Sequence, residues 1–213
     1  MAAIALVGRS NVGKSSLINA LVRRTIARTS AAPGKTRLAN IYRVARGGGT
    51  PLYLVDLPGY GYARGDRREL DAVARAYFEG RIGQDSMLFL VDARHPGLEN
   101  DLAAWTWLQT VAAPAASRRA IVATKIDKLP RAERLRAMMR IEAVFQHPAT
   151  AVSAESGEGL EELWKLIDRL ANNRNNPRPD RPNRSQPPNP TAAAATDRPR
   201  PRPRNSSSRR SKT

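Results

Sequence analysis

The sequence predicts an α/β fold in which a mostly parallel, six-stranded sheet carries helices on both faces. Up to about residue 171, short apolar runs alternate with segments of helical periodicity, the pattern of strands connected by helices. Several apolar runs are continuous rather than alternating, as expected for strands buried on both faces. Beyond this point the composition changes abruptly. We therefore expect a folded domain over residues 1–171 and a separate tail over residues 172–213.

Each expected element rests on its own stretch of sequence. Strands are expected at the short apolar runs, namely residues 3–7, 39–45, 52–56, 86–92, 119–124 and 149–153. Helices are expected between them, at about residues 14–23, 66–81, 99–110, 131–146 and 159–171. Ligands of such sheets bind at the carboxyl ends of the parallel strands. The residues that directly follow the strands are therefore the candidates for chemistry.

The segment between the first strand and the first helix fits the pattern G-x-x-x-x-G-K-[ST]. Backbone N–H groups of such a loop wrap around the phosphates of a nucleotide, and the N-terminal end of the following helix attracts anions. Lys14 would reach the β- and γ-phosphates, and the Ser15 hydroxyl would bind Mg²⁺. An ordinary glycine turn is the alternative, but a chance match placed between a strand and a helix is rare. The residues expected around the phosphates are Gly8, Arg9, Ser10, Asn11, Val12, Gly13, Lys14, Ser15 and Ser16.

Two further segments carry candidate ligands of Mg²⁺ and of the γ-phosphate. Asp56, at the end of the third apolar run, can hold Mg²⁺ through a water molecule, and the Gly59 N–H can bond the γ-phosphate. That contact exists with a nucleoside triphosphate and is lost with a diphosphate, so the following segment can act as a switch. Gly34 and Thr36 are also expected at the nucleotide, with Thr36 as a second hydroxyl ligand of Mg²⁺. The alternatives are a strand-ending Asp before a Pro-Gly turn and a threonine in a surface turn.

The ends of the last two strands carry a candidate base-recognition site. Asp127 can accept hydrogen bonds from guanine N1–H and from the 2-amino group, and adenine has neither donor at these positions. Lys125, in the same run as Thr124, can place its alkyl stem over the base. Ser153 and Ala154 can offer a backbone N–H to guanine O6. A solvated pair at the start of a helix is the alternative, but the order of the segments favours a site for GTP or GDP.

Together these segments predict a Ras-like G domain of the P-loop type, and they resemble the EngB/YsxC-type GTPases of ribosome biogenesis. These belong to the TrmE-Era-EngA-EngB-Septin-like group. The resemblance covers about residues 1–170 and is carried by residues 8–19, PGKT at 33–36, DLPGYGYA at 56–63, VDARHP at 91–96, Asp101 with Trp107-Leu108, and TKIDKL at 124–129. DLPGYGYA is the most distinctive of these segments. In three respects the chain departs from the family: it begins at the first strand, Thr36 is not followed by the usual Gln, and the basic tail is not a hallmark.

The resemblance implies a small bacterial GTPase that assists late assembly of the large ribosomal subunit, with a link to normal cell division and septation. Where many GTPases have a Gln that orients the attacking water, this chain has Tyr60, and no arginine finger is identifiable. We therefore predict slow turnover, near the ~10⁻⁴ s⁻¹ of unassisted switch GTPases. The catalytic residue stays unknown, and Lys14, Thr36 and Gly59 are the expected γ-phosphate contacts. Tyr60 could instead simply pack as a hydrophobic residue, which predicts the same slow rate.

Asn11 raises the question of a monovalent cation. It matches the position at which related GTPases help to bind K⁺ near the phosphates. The alternative is an asparagine that stabilises the turn of the loop. The resemblance leaves K⁺ as a hypothesis.

Composition excludes several other classes of function. The chain has no cysteine, and its two histidines lie far apart, which argues against thiol chemistry and against a zinc site. The phosphate loop begins by residue 8, so we expect no signal peptide. The longest apolar run, residues 87–91, is too short to span a bilayer. We therefore expect a cytoplasmic monomer that does not associate with a membrane.

The net charge of +17 points to a polyanionic partner. The tail is rich in Pro, Arg, Asn and Ser and has no aromatic residue, so we expect it to be disordered. It could tether the protein to rRNA electrostatically or act only as a solvated arm, and both interpretations stay open. The expected partners are thus GTP or GDP and the large subunit or its rRNA-containing assembly intermediates.

Two other classes of function compete with that of a GTP-hydrolysing switch. One is a ribosome- or rRNA-binding module that senses nucleotide with negligible turnover. The other is a P-loop GTPase or ATPase with a different partner. Asp127 argues against an ATPase.

Overall fold

A computed structural model describes residues 1–27, 39–61, 66–79, 86–111 and 118–172. Gly34, Thr36 and the tail beyond residue 172 lie outside these residues, so the predictions made for them stay predictions. The fold class is confirmed as a six-stranded, mostly parallel sheet flanked by helices, with strand order β2-β3-β1-β4-β5-β6.

The strands form at the predicted apolar runs. They are β1 (Ala3–Gly8), β2 (Asn40–Val44), β3 (Leu52–Asp56), β4 (Ser86–Asp92), β5 (Arg119–Thr124) and β6 (Ala149–Ala151). Strand β2 runs antiparallel to β3 at the edge of the sheet, and the other pairings are parallel. The last strand is shorter than predicted, although Val152 N–H still donates to Ala123 O at 2.8 Å.

The helices also occupy the predicted segments. They are α1 (Lys14–Val22), α2 (Asp66–Glu79), α3 (Glu99–Val111), α4 (Arg131–Phe145) and α5 (Leu160–Asn172). Helix α5 continues one residue into the predicted tail, and Leu170 and Ala171 in its last turn still pack against the apolar core. A 3-10 turn at Ile126–Lys128, which the sequence analysis did not foresee, follows β5.

Two apolar layers sandwich the sheet because alternate residues of its central strands face opposite sides. Ala3, Ala5 and Val7 pack with residues of α2, α3 and α4, whereas Ile4 and Leu6 pack with residues of α1 and α5. Every residue of β1 and of β4 is buried, which explains their continuous apolar sequences. Among the described helices none is both long and apolar enough to cross a membrane.

Candidate nucleotide site

The predicted functional segments that the structure describes meet at one edge of the sheet. Strand β1 lies between β3 and β4, and β5 lies between β4 and β6, so their carboxyl ends are neighbours. In register, Leu6 pairs with Asp56 and Asp92 pairs with Thr124. The fold thus brings together residues that are more than 100 positions apart in the chain.

Gly8 and Gly13 shape the loop between β1 and α1 for different reasons. A Cβ on Gly8 would lie 2.9 Å from both Leu90 O and Val12 Cγ1, so the loop leaves no room for a side chain there. Gly13 has φ 107°, a backbone conformation that glycine adopts without strain, and its carbonyl accepts the Leu17 N–H at 2.8 Å. The loop therefore passes close to β4 and turns directly into α1.

Lys14 begins α1 and is buried, with its ammonium donating to Gly8 O at 3.2 Å. Burial lowers the pKa of Lys14, and the charge of Asp56 only partly opposes this effect. The protein thus holds an incompletely compensated cation inside a loop of backbone N–H groups. An anion such as a phosphate would be stabilised there.

Asp56 and Ser15 fit a magnesium site. Ser15 Oγ donates to Asp56 Oδ2 at 3.0 Å, while the buried Asp56 Oδ1 accepts no hydrogen bond from the residues that the structure describes. Burial raises the pKa of Asp56, and Lys14 and Ser15 act in the opposite direction. A hydroxyl and a carboxylate are donors that Mg²⁺ prefers, and Oδ1 is a suitable acceptor for a water molecule bound to the ion.

The turn that begins at Asp56 packs directly against the phosphate loop. A Cβ on Gly59 would lie 2.9 Å from Ser10 Cα and from Ser10 N. The Ser10 N–H in turn donates to Tyr60 O at 2.8 Å. Gly59 is thus held beside the loop in which the phosphates were predicted.

Tyr60 adopts the second of its two predicted roles, because its ring points into the core rather than towards the loop. Only 3% of the residue is exposed, and its ring stacks on that of Phe89 with the centroids 6.3 Å apart. The hydroxyl donates to the buried Asp101 of α3 at 3.0 Å. Tyr60 therefore does not offer a group that could orient a water molecule at the γ-phosphate.

A cleft of about 340 Å³ continues from the phosphate loop to the ends of β5 and β6. It is lined by residues that the sequence analysis assigned to the nucleotide, including Gly13, Ser16, Lys125, Asp127 and Ala154. Its volume lies in the range that is typical of small-molecule sites. The cleft is therefore large enough for a base and a ribose next to the predicted phosphate site.

Asp127 is the acceptor of this cleft. Partial burial alone would raise the pKa of Asp127, but hydrogen bonds from Ser153 and Lys128 outweigh it and lower the pKa. The carboxylate is thus ionised at neutral pH. It can accept two hydrogen bonds from the N1–H and 2-amino donors of guanine.

Ser153 and Ala154 divide the role that was predicted for the pair. Ser153 N–H donates to Glu158 O at 2.9 Å, and Ser153 Oγ accepts the N–H groups of Glu155 and Ser156. These bonds order the loop and leave the Ser153 N–H unable to reach a base. Ala154 N–H has no acceptor among the described residues, which leaves it as the candidate donor to guanine O6.

Thr124 and Lys125 tie the base side of the cleft to the phosphate loop. Thr124 Oγ1 lies 2.7 Å from Val12 O, so this side chain holds the loop rather than facing a base. Lys125, at φ 59°, donates to Asn11 O at 2.6 Å. Its ammonium also lies 3.0 Å from Asp92 Oδ2, which leaves its alkyl stem along the wall of the cleft.

Asp92 is absent from the predicted site residues, yet it anchors this end of the site. Asp92 is 2% exposed and also binds the Arg94 guanidinium through both carboxylate oxygens, at 2.9 and 2.7 Å. Burial alone would raise the pKa of Asp92, but bonds from Arg94 and Lys125 hold it at about 2. The available signal was an acidic residue ending a wholly apolar strand, the same signal that identified Asp56.

Comparisons with known proteins identify similar GTP-binding proteins. The model of a family described as 50S ribosome-binding GTPases matches residues 3–125. A probable GTP-binding protein EngB of Pelotomaculum thermopropionicum is 42% identical over 175 residues, which is 78% of this chain and 84% of that protein. The corresponding protein of Thermotoga maritima is 40% identical over 174 residues, covering 78% of this chain and 85% of its own length.

Solved structures with the same fold include two GTP-binding proteins. Era in complex with MgGDPNP and nucleotides 1506–1542 of 16S ribosomal RNA has a TM-score of 0.66 and 26% identity over 79% of this chain. This chain spans 56% of the length of that Era chain. A probable GTP-binding protein EngB has a TM-score of 0.61 at 22% identity, covering 81% of this chain and all of its own, and it supports the fold alone.

Proposed function

Because the chain belongs to the EngB family of GTP-binding proteins, a family of P-loop GTP hydrolases, we propose that it is a nucleotide-dependent switch in the assembly of the large ribosomal subunit. The description of the matching family as ribosome-binding GTPases supports this partner. In this proposal the protein acts as a cytoplasmic monomer, and its contribution to normal cell division follows from its role in ribosome assembly.

The observation that carries the proposal is the single edge at which a phosphate loop, a magnesium-type pair and a guanine-type acceptor meet. GTP would place its phosphates on residues 8–16 and near Gly34, and its base between Lys125, Asp127 and the Ala154 N–H. Ser15, Asp56 and Thr36 would hold Mg²⁺, with Asp56 acting through water. Thr124 would hold the phosphate loop through Val12, and Ser153 would order the loop that follows β6.

Hydrolysis would rest on electrostatics and positioning rather than on a general base. When bound, Mg²⁺ would neutralise part of the charge on the β- and γ-phosphates. Lys14 would stabilise the charge that develops during transfer, and the Gly59 N–H would orient the γ-phosphate. Among the described residues at this edge no side chain orients the attacking water, so we propose intrinsic turnover near ~10⁻⁴ s⁻¹ and acceleration by a partner.

The switch would operate through the contact between Gly59 and the γ-phosphate. GTP would order the segments that contain Thr36 and follow Gly59, and the ordered surface would dock on a pre-ribosomal particle. Hydrolysis would remove the contact and release the particle. The solved Era complex, in which a protein of this fold holds both MgGDPNP and ribosomal RNA, supports a link between these two ligands.

A monovalent ion would add to this chemistry. We propose that Asn11 helps to bind K⁺ beside the phosphates, since the residue is exposed and its carbonyl is already fixed by Lys125. Hydrolysis should then be faster in potassium than in sodium buffer, and Asn11→Ala should remove the difference. Equal rates for the unaltered chain in both buffers would overturn this part of the proposal.

The experiment that tests the switch is co-sedimentation with purified large subunits at physiological salt. We expect the protein to sediment with the subunits in the presence of a non-hydrolysable GTP analogue and to stay in solution with GDP. Equal sedimentation with both nucleotides, lost on deletion of residues 173–213, would show that only the charged tail binds the subunits. The deletion leaves α5 intact, so the G domain serves as its own control.

The rate of hydrolysis separates the switch from a nucleotide sensor. Large subunits should accelerate GTP hydrolysis if turnover is part of the cycle. A chain that binds subunits with the GTP analogue but shows no acceleration would be a ribosome-binding sensor with negligible turnover.

A further inference from the structure

Three polar side chains connect the phosphate loop with helix α3. They are Arg9 of the loop, Tyr60, which follows Gly59, and Asp101 of α3. Asp101 lies on the inner face of α3 and is 1% exposed. It accepts the Tyr60 hydroxyl at 3.0 Å, and Arg9 Nε lies 3.9 Å from the same oxygen, Oδ1. A buried carboxylate is costly unless it has such partners, so this arrangement ties two loops to one helix.

The main chain of Tyr60 is held as firmly as its side chain. Its carbonyl accepts the Ser10 N–H at 2.8 Å, and Tyr60 pairs with Arg9 in an isolated parallel bridge. Its ring stacks on Phe89 in the core. Tyr60 is thus fixed at the phosphate loop through its backbone and at α3 through its hydroxyl.

The direction of the hydroxyl bond is also settled by the surroundings. Burial raises the pKa of Tyr60 well above its ordinary value, and the neighbouring Asp101 raises it further. The phenol therefore keeps its proton and donates a hydrogen bond to the carboxylate. Burial also raises the pKa of Asp101, and the hydrogen bond from Tyr60 opposes this rise.

Gly59 lies immediately before this anchored residue and against Ser10. With Tyr60 held in place, the backbone of Gly59 has little freedom to move away from the loop. A hydrogen-bond donor that is fixed before its ligand arrives loses less conformational entropy when the ligand binds. The contacts of Tyr60 with Ser10 and Asp101, which we call the Tyr60 anchor, should therefore favour binding of any ligand that Gly59 contacts.

We propose that Tyr60 and Asp101 are positioning residues that hold the Gly59 N–H in place for the γ-phosphate and thereby set the preference for GTP over GDP. The inference rests on the proposed contact between Gly59 and the γ-phosphate. GDP lacks this phosphate, so its affinity should not depend on the anchor.

Binding of GDP and of a non-hydrolysable GTP analogue to the full chain with Mg²⁺ tests the inference. Tyr60→Phe removes only the hydroxyl and should weaken binding of the analogue by up to about tenfold, since the free energy of one hydrogen bond to a charged group is the upper limit of the effect. Affinity for GDP should stay within about twofold, which also reports that the site remains folded. Asp101→Ala should behave like Tyr60→Phe, and Asp101→Asn should retain most of the affinity because its amide oxygen still accepts the bond.

Tyr53→Phe is the matched control, since the Tyr53 hydroxyl has no acceptor among the described residues and should leave both affinities unchanged. Equal weakening of GDP and the analogue in Tyr60→Phe would show a general structural role and overturn the inference. Unchanged affinity for both nucleotides would overturn it as well. Failure of the unaltered chain to bind either nucleotide would overturn the proposed function and, with it, the inference.

Discussion

The two ends of the nucleotide site differ in how far the protein itself compensates their charges. At the phosphate end, formed by residues 8–16 with Asp56 and Gly59, burial lowers the pKa of Lys14 and raises the pKa of Asp56. Both shifts disfavour the charged forms. The described chain also leaves Asp56 Oδ1 without a hydrogen-bond donor.

At the base end, formed by Asp92, residues 124–128 and residues 153–155, the balance is the opposite. Cations bind Asp92 and lower its pKa to about 2, and the Ser153 hydroxyl and Lys128 lower the pKa of Asp127. These charges are stable before any ligand arrives. The charges at the proposed base end are therefore compensated by the protein itself.

The difference teaches how affinity and selectivity are divided within one cleft. In the proposed complex, phosphate and Mg²⁺ would compensate the charges of the phosphate end, so most of the binding free energy is expected there. The base end is already ordered, so we expect it to discriminate between bases without rearranging. Substitutions at the two ends should consequently differ in their effects on binding and on the stability of the nucleotide-free chain.

Lys14→Ala should produce the largest effect. We expect affinity for GTP and GDP to fall by about 10²–10³-fold, the penalty of leaving a buried anion without its cation. The free energy of unfolding of the nucleotide-free chain should change little, because desolvation already opposes the attraction between Lys14 and Asp56. Calorimetric titration and urea denaturation measure the two quantities, with the exposed Lys165→Ala as control. A large loss of stability without nucleotide would show that the phosphate end, like the base end, is stabilised by its own charges.

Asp127→Asn should come next, with about 10²-fold weaker binding of guanine nucleotides. Since an amide can donate to the 2-oxo group of xanthine, affinity should shift towards xanthine nucleotides. Competition between GDP and XDP measures this change, and the exposed Asp168→Asn is the matched control. If the order of preference for the two bases does not change, Asp127 is not the residue that reads guanine.

Asp92→Asn should reduce affinity for GTP and GDP alike, by about tenfold, because Lys125 loses one of its two anchors. The lowered pKa of Asp92 also stabilises the fold by about 2 kcal/mol at pH 7. This contribution is complete above the ordinary pKa of an aspartate and is lost as the pH falls towards 2. Urea denaturation at pH 7 and at pH 3 should show a smaller difference between variant and parent at the lower pH. If the stability difference between variant and parent is the same at pH 7 and at pH 3, the charge of Asp92 is not its cause.

Glu155→Gln should have the smallest effect. Glu155 is 72% exposed, and its pair with Lys128 lies at the rim of the base end. Exposed pairs contribute little, so affinity for GDP should change by less than about twofold. A change as large as that of Asp92→Asn would show that the rim belongs to the recognition surface.

Most of the fold was predictable because its determinants are local. Buried central strands such as β1 and β4 require continuous apolar runs, and the loop after β1 requires Gly8 and Gly13 for steric and conformational reasons visible in the motif. The boundaries were less predictable. Helix α5 continues to Asn172 because Leu170 and Ala171 still pack against the core, and β6 ends early because the Ser153 N–H donates to Glu158 O in the loop that follows it.

By itself, the sequence determined which functional groups are present and their order along the chain, namely a phosphate loop, Asp56, Gly59 and Asp127. It also determined the alternation of strands and helices that brings these groups to one edge of the sheet. Only the tertiary structure decided which groups remain available. The Ser153 N–H is used internally, Thr124 holds Val12, and Asp92 and Asp101 become anchors for Lys125 and Tyr60. The physical reason is that hydrogen bonds and burial depend on which residues meet in space. Tyr60 and Asp101 are 41 positions apart, so no local pattern contains their contact.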